Sequence, residues 1–177
     1  MRNLWCEDHC EIGVGVCLLV VRDKKILVSE RIGSFGRGYM CCPGGHQEKN
    51  ERWEQTALRE TAEEAGHKIK VAIRPVYWPG HVSESNIPLF VTNNILAGGK
   101  HYITIWLHAE WLSGEPINAE PSKKKGWEWK TVQEIIDDPR MQAGVAAWLD
   151  GKFHEALHWI PLPEIFKYKD RLGLTAN

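Results

Sequence analysis

The segment 43–66 constrains this chain more than any other, because it joins a Pro-Gly-Gly turn to a helix whose acidic residues fall on one side. We predict that the helix covers about residues 51–65, with Asn50 as its N-cap and Gly66 as the glycine that ends it. Successive helical residues are about 100° apart, which places three carboxylates in a single sector. These are Glu60, Glu63 and Glu64.

This acidic face is unfavourable unless it meets a positive charge. Like charges three or four residues apart on a helix repel by about a few tenths of a kcal/mol per pair. A helix selected only for stability would avoid the arrangement, so we expect the face to bind a cation. The alternative is an ordinary surface helix whose acids are solvated.

The spacing around the helix resembles the Nudix box, G-x5-E-x7-R-E-U-x-E-E-x-G-U, where U is an apolar residue. Gly45 is followed after five residues by Glu51, and after seven more by the run Arg-Glu-Thr-Ala-Glu-Glu-Ala-Gly that ends at Gly66. The final apolar position departs from the pattern, because it holds His67. We expect that departure to affect packing rather than chemistry, and the match indicates a resemblance to Nudix hydrolases.

The resemblance implies a role for each residue of the box. Glu60 and Glu64 are implied as ligands of an essential divalent cation, Mg²⁺ or Mn²⁺, and the carbonyl of Gly45 as another ligand. Glu63 is implied as a further ligand or as the base that activates water, with Glu60 as an alternative base. Arg59 is implied to orient the acidic cluster, with Glu51 as its partner. Carboxylate and carbonyl oxygens are the ligands that these hard cations prefer.

Motifs outside the box are similar to those of the MutT-like nucleotide triphosphate diphosphatases. They are GVGV from residue 13, RxGSxGxGxxxxPGGH from residue 31 and HYxTI from residue 101. The resemblance implies hydrolysis of a (deoxy)nucleoside triphosphate to the monophosphate and pyrophosphate, including removal of modified deoxynucleotides from the pool. The substrate-binding residues that it implies are Arg31, Ser34, Gly44, Gly45, His46 and Thr104. Further candidates are Arg37 in the glycine-rich loop and Glu120 as an additional carboxylate for the metal.

Two other functions stay open at this point. One is cleavage of another nucleoside diphosphate linked to a group X, such as a nucleotide sugar or a dinucleotide cofactor. The other is a module of the same fold that binds nucleotide without catalysis. A net charge of −1 provides no basic field that would favour stable nucleic-acid binding, so we expect a small-molecule nucleotide as the partner. The resemblance to Nudix hydrolases also implies a homodimer.

Length and composition predict one soluble domain. The chain has 177 residues, of which 43% are hydrophobic and 25% charged, and this is enough to bury a sizeable core. We place the core of the domain at about residues 12–152, with a C-terminal extension at 153–177. Five cysteines without the regularity of a disulfide framework favour a reducing compartment. The apolar run 12–21 is too short to span a bilayer, so we expect a cytoplasmic protein without membrane association.

The fold implied by the resemblance is α+β, with a mixed, curved β-sheet sandwiched between helices in an α/β/α arrangement. The residue pattern predicts strands at 13–21, 26–30, 69–78, 87–93, 101–109 and 127–129, with turns at 22–25 and 98–99. A capping box predicts a short helix from residue 131, and a second helix is predicted at 141–150.

Two local expectations concern residues near the predicted site. Strand 101–109 alternates, so we expect Ile103, Ile105 and their neighbours on one side to lie in the core. The other side, which begins with Tyr102, is expected to be core with its polar tips hydrogen-bonded, and the alternative is that it lines a cavity and stacks on a base. The run of lysines at 123–125 is expected to be a solvated loop tip, with contact to substrate phosphates as the alternative.

Overall fold

The computed structural model describes residues 12–33, 37–74, 88–95, 101–141, 165, 170 and 172–174. Within these ranges the chain forms strands and helices in a mixed α+β order. The strands are β1 (Ile12–Arg22), β2 (Lys25–Arg31), β3 (Met40–Cys41), β4 (Gly44–His46), β5 (Lys70–Ile73), β6 (Phe90–Ile95), β7 (His101–Ser113) and β8 (Lys124–Lys130). The helices are α1 (Trp53–Ala65) and α2 (Val132–Ile136).

The described strands form a mixed sheet with β1 at its centre. The main order is β3-β2-β1-β7-β5, while β4 pairs with β1, β6 with β7 and β8 with β2. Strands β1 and β7 run parallel over ten paired positions, and the other pairs are antiparallel. Strand β2 pairs with β1 only next to their hairpin, and β4 occupies the edge of β1 nearer its start.

The hairpin between β1 and β2 confirms the predicted turn. Arg22 pairs with Lys25, so two residues form the connection. These are Asp23 and Lys24, with φ of 50° and 63°. Positive φ at both central residues is the geometry whose twist matches that of the flanking strands.

The sheet is buried on both faces, because each face carries its own hydrophobic cluster. The first cluster includes Cys17, Leu19, Trp106 and Ile135. The second cluster includes Val16, Leu18, Ile105, Ala57 and Ala65. Since Ala57 and Ala65 belong to α1 and Ile135 belongs to α2, the two helices cover opposite faces, as the α/β/α expectation requires.

The alternation predicted for β7 is confirmed, and both of its sides are mainly core. Ile105 packs in the second cluster, as expected. The other side is also mainly core, as expected, since Thr104 and Trp106 are almost completely buried. Only the ends of this side reach cavities, with Tyr102 lining one and His108 another.

The start of α1 differs from the prediction. The N-cap is Arg52 rather than Asn50, and Asn50 has a φ of 67° in the turn before the helix. Glu51, predicted as the first helical residue, instead turns its carboxylate toward the side chains of Thr56 and Arg59. The predicted end is correct, because Gly66 has a φ of 90° and its N–H donates to the Ala62 carbonyl.

Other predicted elements have mixed outcomes. The strands at 69–78, 87–93 and 127–129 correspond to β5, β6 and the longer β8. The capping box is confirmed, because Thr131 Oγ1 accepts from the backbone N–H of Glu134 while the Glu134 carboxylate accepts from the Thr131 N–H. The turn at 98–99, the helix at 141–150 past residue 141 and most of the extension at 153–177 lie outside the described residues. The domain boundaries stay a prediction.

Candidate active site

Helix α1 turns its acidic side toward an open cavity of about 460 Å³. Its opposite side is held by small buried residues that pack on the sheet, Ala57 and Ala65 among them. The residues that line the cavity and that the sequence singled out are Arg31, Gly44, Gly45, His46, Arg59, Glu60, Glu63, Glu64 and Glu120. Further lining residues are Glu48, Tyr102, Lys123 and Lys124. Residues from five regions of the sequence therefore meet in one place.

Arg59 is the centre of the hydrogen-bond network along α1. Its Nε and one terminal nitrogen donate to the two carboxylate oxygens of Glu51, at 2.8 and 3.0 Å. The other terminal nitrogen donates to Glu60 at 2.9 Å and to Glu63 at 3.4 Å. A final bond reaches the backbone carbonyl of His46 at 2.9 Å. One guanidinium therefore joins the helix, the turn before it and β4.

Glu51 is the partner that fixes this guanidinium. Its carboxylate also accepts hydrogen bonds from the Thr56 hydroxyl at 2.8 Å and from the Glu48 N–H at 3.1 Å. These contacts, the bond from Arg59 above all, lower the pKa of the Glu51 carboxyl to about 2. The carboxylate is therefore ionised throughout the neutral range, and it keeps Arg59 in one orientation.

Glu60 lies against the backbone of β4. A Cβ atom at Gly45 would overlap the Glu60 carboxylate, so the close approach requires glycine at that position. Burial raises the pKa of the Glu60 carboxyl, and the bond from Arg59 opposes that shift. Gly45 therefore leaves free the space that the Glu60 carboxylate occupies.

Glu64 is the most buried of the three acids on this face, at 6% exposure. Its Oε2 accepts the N–H of Gly44 at 3.1 Å and forms an ion pair with Lys124. Burial raises the pKa of the Glu64 carboxyl, and the charge of Lys124 opposes the rise. The backbone of Glu64 is also fixed, because its carbonyl accepts the indole N–H of Trp127 at 3.0 Å.

Comparison with known proteins identifies the family to which this chain is similar. A sequence model described as the NUDIX domain matches residues 11–151, which is most of the chain. The chain belongs to the NUDIX family. The resemblance and the fold inferred from the sequence are thereby confirmed, and the segment 45–67 is its Nudix box.

Solved structures agree with the family assignment. A MutT NUDIX hydrolase from Burkholderia pseudomallei is 27% identical, and the match covers 70% of this chain and 85% of that chain at a TM-score of 0.57. A MutT protein from Methanosarcina mazei Go1 is 16% identical, covers 81% of this chain and 94% of that one, and gives a TM-score of 0.60. A NUDIX hydrolase from Nitrosomonas europaea, at 20% identity, covers 91% and 72% with a TM-score of 0.58. The last two similarities show the fold alone.

The glycines of the Nudix box place β4 against the centre of the sheet. The Leu18 N–H donates to the Pro43 carbonyl at 2.9 Å, and Gly44 pairs with Cys17. A Cβ at Gly44 would collide with the Val16 carbonyl oxygen. The Pro-Gly-Gly sequence therefore permits a backbone approach that brings the Gly44 N–H to Glu64.

The donor atoms at this site have the chemistry that a hard divalent cation needs. The carboxylates of Glu60, Glu63 and Glu64 lie on one cavity wall with the backbone of Gly45. Within the described ranges, however, no three acidic, histidine or cysteine side chains converge closely enough to hold an ion. The reason is visible in the contacts, because Arg59 binds Glu60 and Glu63 while Lys124 binds Glu64.

Two substrate-binding candidates lie away from the cavity, and a third falls outside the described residues. Ser34 is outside the described residues. Arg37 is exposed and is not among the lining residues, and Thr104 is fully buried with its hydroxyl accepting from the Asn94 amide at 3.1 Å. Because β7 turns Thr104 into the interior of the sheet, the structure does not bring it to the acidic face.

The expectation of a solvated lysine run was wrong for its middle member. Lys123 and Lys125 are exposed, but the Lys124 side chain is only 2% exposed and lies between Glu64 and Trp127. The alternation of β8, which extends back to Lys124, provided the signal that could have found it. Tyr102 was also not assigned, and its hydroxyl lies 3.3 Å from Nε2 of His46.

Across the described part of the chain, no helix is long and apolar enough to cross a membrane.

Proposed function

We propose that this Nudix hydrolase uses Mg²⁺ or Mn²⁺ to cleave a nucleoside or deoxynucleoside triphosphate to the monophosphate and pyrophosphate. The observation that carries the proposal is the meeting of acidic and basic side chains in one open cavity. Glu60, Glu63 and Glu64 line the same space as Arg31 and Lys123. Carboxylates bind a divalent cation, and the Arg and Lys side chains bind the phosphates attached to that cation. A polyphosphate is therefore the substrate class that fits both sets of side chains.

In this proposal the cation is held by Glu60, Glu64 and the Gly45 carbonyl, with Glu63 as a further ligand. The donor set supports it, since all these atoms are oxygens of the kind that Mg²⁺ and Mn²⁺ prefer. When bound, such a cation lowers the pKa of coordinated water and neutralises charge on phosphoryl oxygens. Arg59 keeps the carboxylates oriented from its fixed position on Glu51.

A carboxylate of the box takes the proton of the attacking water. Glu63 is half exposed in the cavity, and within the described residues its ion pair is a long contact of 3.4 Å with Arg59, so it has the freedom that a base needs. Glu60 is the alternative base, and burial raises the pKa of its carboxyl. Glu120 lines the same cavity but is held by Lys123.

The remaining lining residues suit a nucleotide. A cavity of about 460 Å³ is in the range of ordinary small-molecule sites. In this proposal Arg31 and Lys123, which line the cavity, bind the phosphates. The rings of His46 and Tyr102 form an edge-to-face pair, with centroids 5.4 Å apart, and both residues line the cavity, where they can contact a ribose or a base.

The test is turnover over a panel of substrates. Purified full-length protein is incubated with Mg²⁺ or Mn²⁺ and with NTPs, dNTPs, modified dNTPs, nucleotide sugars or NADH, and the nucleotide products are separated by chromatography. We expect triphosphates to give the monophosphate and pyrophosphate, with Glu60→Gln nearly inactive. Turnover of nucleotide sugars or NADH alone would replace the substrate class by another nucleoside diphosphate linked to X. Binding without turnover of any compound would instead support a noncatalytic module.

The assembly and the cellular setting are part of the same proposal. A cytoplasmic protein that acts on free nucleotides fits an acidic site with local basic residues and a chain of net charge −1. Sedimentation of the purified protein measures whether it forms the homodimer implied by the family resemblance.

A further inference from the structure

Lys124 is unusual because its ammonium group is almost completely buried. Its side chain is 2% exposed, whereas those of Lys123 and Lys125 are each 63% exposed. Burying a lysine ammonium costs a large desolvation free energy unless it is paired with an anion. The buried Lys124 ammonium therefore needs an anionic partner. That partner is Glu64, whose side chain is 7% exposed.

Among the described residues, Glu64 is the ion-pair partner of Lys124. Its Nζ lies 4.9 Å from the centroid of the Trp127 ring, which provides an apolar wall. Apart from the ion pair, Nζ has no hydrogen-bond partner within the described residues. The Trp127 indole in turn donates to the Glu64 carbonyl. Lys124, Trp127 and Glu64 therefore contact one another beside the cavity that Lys124 and Glu64 line.

The two oxygens of Glu64 have different partners. Oε2 receives both the Lys124 ammonium and the Gly44 N–H. No hydrogen bond to Oε1 is recorded from the described part of the chain. A carboxylate held in this way keeps one oxygen fixed, and Glu64 lines the same cavity as Glu60 and Glu63.

We propose that Lys124 is an internal counter-ion that takes the place of a divalent cation on Glu64. It stabilises the buried carboxylate when no metal is bound, and it weakens metal binding when one arrives. The inference rests on the cation site of the proposed function. The physical reason is that a divalent ion and the ammonium would share one carboxylate group, and like charges a few ångströms apart repel strongly where water is excluded.

Lys124 is on this account a positioning residue, and it sets the metal concentration at which the site fills. With Lys124 in place, the empty site is neutral at Glu64 and the fold does not depend on metal. Without it, the buried carboxylate has only the Gly44 N–H, so a divalent ion becomes the compensating charge. Stability and metal affinity should therefore change in opposite directions when the lysine is replaced.

The experiment uses Lys124→Met, which keeps the chain length of the stem and removes the charge. Lys125→Met is the matched control, because Lys125 is the adjacent lysine, is paired with Glu30 and does not line the cavity. Metal-free proteins are titrated with MnCl₂ by calorimetry, with free Mn²⁺ followed by electron paramagnetic resonance. Thermal unfolding is recorded in chelator and in MnCl₂.

We expect Lys124→Met to bind Mn²⁺ at least about tenfold more tightly than the unchanged protein, since a repulsive charge next to the ion has been removed. In chelator its Tm should be lower, and MnCl₂ should raise that Tm by more than it raises the Tm of the unchanged protein. Lys125→Met should match the unchanged protein in both measurements. Adding Glu64→Gln to Lys124→Met should abolish the gain in affinity, because the lysine acts through Glu64.

An affinity of Lys124→Met that is unchanged or weaker overturns the proposal. So does a gain that persists in the double variant. If Lys124→Met does not fold in chelator, Lys124→Gln replaces it, and failure of MnCl₂ to restore folding to both variants is also contrary evidence. A protein that binds Mn²⁺ as expected but hydrolyses no triphosphate would defeat the proposed function while leaving this inference in place.

Discussion

Both carboxylate oxygens of Glu51 accept hydrogen bonds from Arg59, at 2.8 and 3.0 Å, although the two residues are eight positions apart. The contact links the turn before α1 to the middle of that helix. Because a planar guanidinium and a carboxylate fix each other's orientation, this pair determines where the other Arg59 nitrogen meets Glu60.

Arg59→Lys should reduce catalysis while the chain still folds. A lysine keeps the charge but lacks the fork that reaches Glu51, Glu60 and the His46 carbonyl together, so the acids lose their common orientation. We expect kcat to fall by about 10- to 100-fold with a smaller change in KM, as for other losses of positioning. Steady-state kinetics measure both values. Arg74→Lys, at a half-exposed ion pair with Glu110, should leave both unchanged.

Glu64→Gln and Glu60→Gln should each weaken Mn²⁺ binding by about tenfold or more, because an amide is a poorer ligand for a hard cation than a carboxylate. Calorimetric titration of the metal-free proteins with MnCl₂ checks this. The control is Glu115→Gln, an exposed glutamate that pairs with Arg22. An affinity equal to that of the control would remove the altered glutamate from the cation site.

Gly45→Ala should inactivate the protein by displacing Glu60. The added Cβ would occupy the position of the Glu60 carboxylate, which must then move away from β4. We expect a loss of at least about 100-fold in kcat/KM, in line with the effect of small misplacements at reacting groups. Circular dichroism reports whether the fold is kept. Gly126→Ala is the matched control, since a Cβ there meets no atom within 4 Å.

The stability of the fold should depend on pH through Glu51. Its pKa is lowered in the folded protein to about 2 from an ordinary value of 4.5. For a depressed carboxyl pKa, the stabilisation is fully present above the unfolded value and is lost as pH falls through the folded value. Urea unfolding of the unchanged protein and of Glu51→Gln between pH 7 and about pH 2 tests this. The difference between them should be constant above about pH 5 and shrink below it; a constant difference at every pH would contradict the assignment.

The sequence predicted those parts of the fold that depend on local pattern. The spacing of glutamates along α1, the capping box at Thr131 and the alternation of β7 each follow from one element's own periodicity. These predictions agree with the structure. The acid side of α1 and the Pro-Gly-Gly turn also reach one cavity, as the box spacing indicated.

The parts that sequence could not predict depend on distant contacts. Asn50 is a good N-cap in isolation, but Arg59 and Thr56 bind the Glu51 carboxylate and hold residue 51 outside the helix. Lys124 reads as a solvated residue within a run of three lysines. Its burial follows from the pairing of β8 with β2, which brings it to Glu64 from across the sheet. The alternation of β8 indicates the burial of Lys124, but its pairing with Glu64 has no signature in the nearby sequence.

The parallel pairing of β1 with β7 has a consequence for the order in which the protein is built. Ile12 pairs with His101, so each contact in this parallel pairing joins residues 89 positions apart, 101 minus 12. Closing so long a loop costs entropy that must be offset by contacts made at once, which favours late, concerted assembly. During synthesis, the groove that receives β4 and α1 therefore stays incomplete until β7 has left the ribosome, and the acidic face acquires its final surroundings only then.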